Sequence, residues 1–267
     1  MVSGAVVVAQ RLFAALFPSD CRLCGVPLEN ISRLPVCRSC LLAITPISAE
    51  TCDVCGDTLG HPQREAASEC LSCQEQKPYF ARAAAYGSYD GGLRELIHLL
   101  KYDRVEPAAG ALGRMLVEAI QKLRLSSESL VVVTVPLYAG KRRERGFNQT
   151  ELIAQKALRG FPGNRLELST DVLERIRSTV SQIGLTRPQR VENLRGAFRV
   201  KHLSRVKGRD VLLVDDVMTT GTTASECARV LRRAGAQNVW VATVARTLKH
   251  QESSYSSGHF VGAAQAS

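Results

Sequence analysis

At 267 residues the chain is long enough for one large domain or two modest ones. It is 45% hydrophobic, 22% charged and 5% aromatic, with 20 Gly and 10 Pro, which excludes a largely disordered, collagen-like or coiled-coil protein. The formal charge of +10 is unevenly spread: residues 1–80 carry 6 Lys and Arg against 8 Asp and Glu, net −2, and residues 81–267 carry 29 against 17, net +12. Such a separation predicts two parts, the second of which meets something anionic: nucleic acid, a phosphate ester or an acidic lipid surface.

No apolar run approaches the ~20 residues that span a bilayer, so no membrane insertion is expected. The first stretch, residues 1–18, lacks a basic region before Ala5–Ala9 and reads as an N-terminal amphipathic helix packed on the protein, not as a signal peptide. Residues 19–80 hold eight of the nine cysteines in four Cys-x-x-Cys pairs: Cys21/Cys24, Cys37/Cys40, Cys52/Cys55 and Cys70/Cys73. Two thiolates on a tight turn face one metal, and two such turns supply the four sulfurs of a tetrahedral zinc site. Gly25 and Gly56 follow a second cysteine directly, where a knuckle wants a residue free to take positive φ. Sequential pairing makes two ribbons; a cross-braced arrangement would join the first pair to the third. The repeat of the two halves favours the sequential form. With four sulfurs and no open position, both zinc ions are structural, and they hold a segment too poor in large apolar residues to fold unaided. With no secretory signal read in the sequence a cytoplasmic location is expected, where disulfides are uncommon.

Residues 81–247 read as an α/β domain. Helices are expected near 92–102 and 107–123, with Leu93, Leu96, Ile97 and Leu100 and then Leu112, Leu116 and Ile120 as apolar faces. Leu130–Val135 is a β-branched run suited to a buried parallel strand. It is followed by the basic segment Lys141, Arg142, Arg143, Arg145 and by a helix over about 150–158. Val211–Val214 and Val239–Val244 are two further strands, joined by a helix over about 222–234 that carries Cys227 as a buried small residue and stops at Gly235. The last stretch, 248–267, is rich in Ser, Gly and Ala and reads as a flexible tail.

The densest chemistry lies in Val211–Thr223, VLLVDDVMTTGTT. An apolar strand ends in Asp215 and Asp216, then comes a bend, Thr219-Thr220-Gly221-Thr222-Thr223, and a helix start. A crevice opens at the carboxyl end of a parallel strand. Backbone N–H groups and the dipole at the following helix N-terminus attract an anion, and Gly221 lets the main chain approach it. Carboxylates cannot bind phosphate directly, but they accept hydrogen bonds from vicinal hydroxyls or hold magnesium. A phosphate cradle beside a diol acceptor asks for a ribose 5-phosphate. The five histidines form no cluster, and no Ser/His/Asp or Cys/His arrangement is evident.

This pattern resembles the 5-phosphoribosyl-1-pyrophosphate (PRPP) motif of type I phosphoribosyltransferases. With the paired cysteines, the Leu96-Ile97 and Leu100-Lys101 segment, Pro136–Gln149, Arg177–Gln182, Arg187, Arg190, Asn193 and Gly196-Ala197-Phe198, the chain from about Cys21 to Arg246 resembles the ComF/ComFC/GntX family, whose members are amidophosphoribosyltransferase-like and associated with natural competence for DNA transformation. The resemblance implies an α/β fold: a type I phosphoribosyltransferase-like parallel sheet flanked by helices, with a small N-terminal double zinc-ribbon module. It further implies that Asp215 and Asp216 contact the ribose hydroxyls, that Thr219, Thr220, Gly221, Thr222 and Thr223 cradle the 5-phosphate, and that Lys141, Arg142 and Arg143 meet pyrophosphate. The segment 177–193 takes the place of a mobile loop, with Thr179, Gln182 and Arg187 facing ligand, and residues 81–125 take that of an acceptor hood. The implied activity is phosphoribosyl transfer from magnesium-bound PRPP, with pyrophosphate release, to an acceptor the sequence does not name. The alternatives are a non-catalytic PRPP sensor and a competence protein that binds single-stranded DNA. The partners these readings admit are PRPP, single-stranded DNA and a competence helicase or other DNA-processing protein.

Overall fold

The computed structural model describes residues 19–28, 32–59, 68–125, 127, 129–161, 165–179 and 184–248. The helix expected over 1–18 and the tail beyond Leu248 lie outside the described residues.

Five parallel strands form the central sheet: β1 (Arg82–Ser88), β2 (Leu130–Thr134), β3 (Leu166–Ser169), β6 (Asp210–Met218) and β7 (Val239–Arg246), in the order β1-β7-β6-β2-β3. A separate antiparallel pair joins β4 (Leu173–Arg175) to β5 (Phe198–Val200). All five residues of β2 are buried, as an apolar run covered on both faces should be. Side chains alternate across the sheet. Leu130, Val132, Leu212, Val214, Ala242 and Val244 join one core with the helices Gly91–Lys101, Ala108–Lys122 and Gln149–Leu158. Val131, Val133, Val211, Leu213, Val239 and Val241 join a second core with the helix Thr222–Arg233, where Cys227 is fully buried.

Several expectations change. The strand through the acidic doublet does not stop at Val214. It continues to Met218, because β7 runs beside it to Arg246 and pairs Asp215 with Thr243, Val217 with Ala245 and Met218 with Arg246. Residues 81–125 are not a separate hood: Arg82–Ser88 is a strand of the central sheet, and both helices that follow pack on it. The basic segment is a helix, Ala139–Arg145, closed by Gly146 in the left-handed region. The segment 177–193, read as a mobile loop, runs into the helix Arg187–Leu194, started by a capping box of Thr186 and Gln189 with Pro188 in its first turn.

β1 is an edge strand, and the cysteine-rich segment covers it. The Ala83 N–H donates to the Val54 carbonyl at 2.7 Å, and the Tyr86 carbonyl accepts from the Ile47 N–H at 2.8 Å. Gly56 makes this approach possible: at φ +70° an added Cβ would stand 2.7 Å from the Ala83 carbonyl oxygen.

Candidate functional site

The cysteines form two clusters, Cys21, Cys24, Cys37, Cys40 and Cys52, Cys55, Cys70, Cys73, each with its four sulfurs within 4.8 Å of one another. Pairing is therefore sequential, and the cross-braced alternative falls. The halves repeat each other down to their hydrogen bonds. Cys21 N–H donates to Val26 O and Cys52 N–H to Asp57 O; Gly25 N–H donates to Cys21 O and Gly56 N–H to Cys52 O. The amides of Cys37 and Cys70 point at the sulfurs of Cys21 and Cys52, at 3.3 and 3.2 Å. The Cys24–Cys37 and Cys55–Cys70 sulfur pairs stand 3.8 and 3.6 Å apart. A tetrahedral ion with Zn–S bonds of about 2.3 Å sets its sulfurs about 3.8 Å apart, so both clusters fit zinc. Metal analysis is expected to return two zinc ions per chain; one per chain would contradict the double site.

The second cluster is locked onto the sheet. Arg246, the last residue of β7, is 2% exposed. It donates to the Cys55 carbonyl at 2.7 Å, and its guanidinium lies 3.2 Å from the Asp57 carboxylate, itself 1% exposed. The linker after Cys73 continues this contact, since Tyr79 N–H donates to Ser225 Oγ and Phe80 packs near Gly221.

The acidic doublet sits in a polar nest that sequence reading did not assemble. Asp216 is buried and both its oxygens are engaged: Lys101 Nζ lies 2.9 Å from Oδ1, and Gln149 Nε2 donates to Oδ2 at 2.8 Å. Asp215 Oδ1 accepts from the Asp216 amide at 2.9 Å and from Thr150 Oγ1 at 3.5 Å. Burial and then the adjacent Asp216 charge push the Asp215 carboxyl up to about 7. Burial alone would lower the Lys101 ammonium, but the Asp216 carboxylate outweighs it and leaves the lysine pKa raised. Arg175 of β4 lies within electrostatic range of Asp215 and stacks over Phe198 at 5.7 Å.

The threonine bend follows the strand directly. Gly221 caps the helix Thr222–Arg233 with φ +76°, a value that favours glycine. Thr219 and Thr220 are exposed; Thr220 Oγ1 meets Thr222 Oγ1 at 2.8 Å, and Arg190 donates to Thr219 Oγ1 at 3.4 Å. Thr220, Gly221 and Thr222 line a cleft of about 220 Å³ with Cys73, Tyr79 and Phe80, and neither aspartate lines it. A second cleft, of about 290 Å³, joins Lys101 to Tyr102, Arg104, Lys141, Glu144 and Arg145. Of the basic residues singled out in the sequence, Lys141 lines this cleft, Arg142 pairs with Glu151 at 3.4 Å, and Arg143 is exposed. Thr179 accepts from Arg175; Gln182 lies outside the described residues, and Arg187 begins a helix. His98 is packed between Tyr89 and Tyr102.

A parallel sheet of this order, an acidic doublet running into a Thr-Thr-Gly-Thr helix start, and two four-cysteine knuckles define a phosphoribosyltransferase-fold protein with a double zinc ribbon. Family comparison agrees: the phosphoribosyl transferase domain matches residues 151–261, and the double zinc ribbon domain matches residues 12–77. The chain belongs to the ComF/ComFC/GntX family. It is 34% identical to the DNA utilization protein YhgH of Salmonella typhi over 86% of this chain and 98% of that one. It is 29% identical to competence protein F of Haemophilus influenzae over 81% and 93%. Among solved structures, the match to the allosteric regulatory enzyme of purine biosynthesis covers 52% of this chain and 26% of that one at 27% identity, with a TM-score of 0.31. Among the described residues no helix is long and apolar enough to cross a membrane.

Proposed function

We propose that the chain binds PRPP with magnesium at the carboxyl edge of the sheet and transfers its phosphoribosyl group to an acceptor, releasing pyrophosphate. The observation that carries this reading is the doublet on β6, separated by only Val217 and Met218 from a threonine-glycine bend that opens a twelve-residue helix. Asp215 and Asp216 take the ribose hydroxyls, and their adjacent oxygens are a donor set suited to a hard divalent cation. Amides of Thr219–Thr223 and the helix dipole hold the 5-phosphate. Lys141, with Arg142 and Arg143 on the same short helix, attracts the pyrophosphate. Magnesium, when bound, supplies charge neutralisation for the departing pyrophosphate. The chain's own work is to position the anomeric carbon and to surround developing charge with fixed dipoles and cations; the displacement needs no side-chain nucleophile.

A second reading keeps the same ligand without turnover. Two relatives are named for DNA utilization and competence, and residues 81–267 carry net +12. On that reading PRPP occupancy regulates a protein that works in the cytoplasm on single-stranded DNA or with a competence helicase. Pyrophosphate release on addition of an acceptor separates the two. PRPP with magnesium is expected to raise the melting temperature of the zinc-loaded chain; no rise would remove both readings.

A further inference from the structure

Among the described residues, Lys101 is the one that touches both the doublet and the basic cleft. It ends the helix Gly91–Lys101. Its side chain is 13% exposed and its Nζ lies 2.9 Å from Asp216 Oδ1; the same residue lines the cleft shared by Tyr102, Arg104, Lys141, Glu144 and Arg145. Four cations face one carboxylate there. Glu144 offers its carbonyl to Arg104 at 2.8 Å, and Arg145 lies over the Tyr102 ring at 5.4 Å, which fixes both guanidinium groups at the cleft wall.

This arrangement poses a problem for a sugar approaching Asp216. With Lys101 on one oxygen, Gln149 on the other and only 5% of the residue exposed, a ribose hydroxyl has little open acceptor to reach unless one of the two donors moves aside. Gln149 is neutral. Lys101 carries a charge in a nearly dry site, and a buried cation gives up its anion only when another anion replaces it. A lysine differs from an arginine here: its ammonium is a point charge on a flexible stem that can turn between two anions.

We propose that Lys101 is an exchangeable counter-ion, resting on Asp216 in the unliganded chain and passing to the pyrophosphate of PRPP when that group enters the basic cleft, which frees Asp216 for the ribose. The proposal rests on the PRPP reading and adds a coupling to it: the sugar site opens only for a sugar that brings its own diphosphate. Ribose 5-phosphate, which has no group to draw Nζ away, has to bind against the intact ion pair. Lys101 thereby sets specificity between activated and unactivated sugar.

Calorimetric titration of the full zinc-loaded chain with PRPP and with ribose 5-phosphate, each with magnesium, tests this. The wild type is expected to favour PRPP. In Lys101→Met the ratio of the two affinities should fall by roughly 10- to 100-fold, the scale of one lost charge-assisted hydrogen bond. The loss should fall on PRPP, with ribose 5-phosphate bound as well as before or better. Lys101→Gln, which keeps a donor for Asp216 and protects the fold, should lose the preference too. An unchanged ratio, or an equal loss for both ligands, would leave the lysine a structural counter-ion only and overturn the proposal. A wild type that binds neither ligand would sink the PRPP reading itself.

Discussion

Replacing Arg246 with methionine is expected to cost about 3–5 kcal/mol, the usual loss when one partner of a buried ion pair is removed. For a chain of this size that is a fall in melting temperature of roughly 10 °C. The reason is where the side chain lies. Arg246 ends β7 in register with Met218 of β6 and Ser88 of β1, and its guanidinium reaches across to Cys55 and Asp57. Methionine fills the volume but leaves the Asp57 carboxylate, 1% exposed, without that cation. Adding Asp57→Asn to Arg246→Met should recover part of the loss, since the stranded charge is gone. The contrasting control is Arg22→Met. Its ion pair with Asp103 spans 2.8 Å, but both side chains are about half exposed, so its loss should cost under about 1 kcal/mol. Thermal melts of the three variants beside the wild type decide the matter; equal losses for Arg246→Met and Arg22→Met would refute the lock.

The combined change Asp215→Asn, Asp216→Asn should abolish the response to PRPP. At about 100 times the dissociation constant a ligand stabilises the folded state by about 2.7 kcal/mol, roughly 5–10 °C here. The double variant should melt at one temperature with or without PRPP and magnesium. The pH dependence carries a sign. Burial raises Asp215 from its ordinary 3.8 to about 7. Folding therefore favours its protonated form, and this group's contribution to stability is full below about pH 4 and lost as pH climbs through 7. Ligand binding runs the other way. The ionised carboxyl is the better acceptor for hydroxyls and cations, so the PRPP-induced rise should grow between pH 6 and pH 8. Asp215→Asn should flatten that trend. A rise that persists in the double variant would place the ligand elsewhere.

The elements that were legible in the sequence are those whose signal is local. Leu130–Val135 announced itself by β-branching, and the helix after Gly221 by its spacing. The four cysteine pairs disclosed both clusters and, through their repeat, the sequential pairing. β1 was missed because Arg-Ala-Ala-Ala-Tyr-Gly-Ser has no β-branched residue; it is a strand because β7 pairs with it and the knuckles cover it. The helix at 187–194 carries its signal in the sequence, a capping box and an early proline, overlapping a segment that the family resemblance assigns to a mobile loop. Lys101 and Gln149 could not be placed beside Asp216 from the sequence. Their contacts span 115 and 67 residues, and only the sheet order brings them together.

The cover on β1 reaches beyond the site. An outermost strand with free amides and carbonyls is a template onto which another molecule's strand can add. Here that template is masked by Ile47 and Val54, both carried by a segment whose shape depends on bound metal. Stripping the metal would therefore expose a short, nearly uncharged run, Ala83–Ser88, to its copies. Chelated protein should precipitate before it loses its helices, and metal supply during synthesis would decide how much of the chain stays in solution.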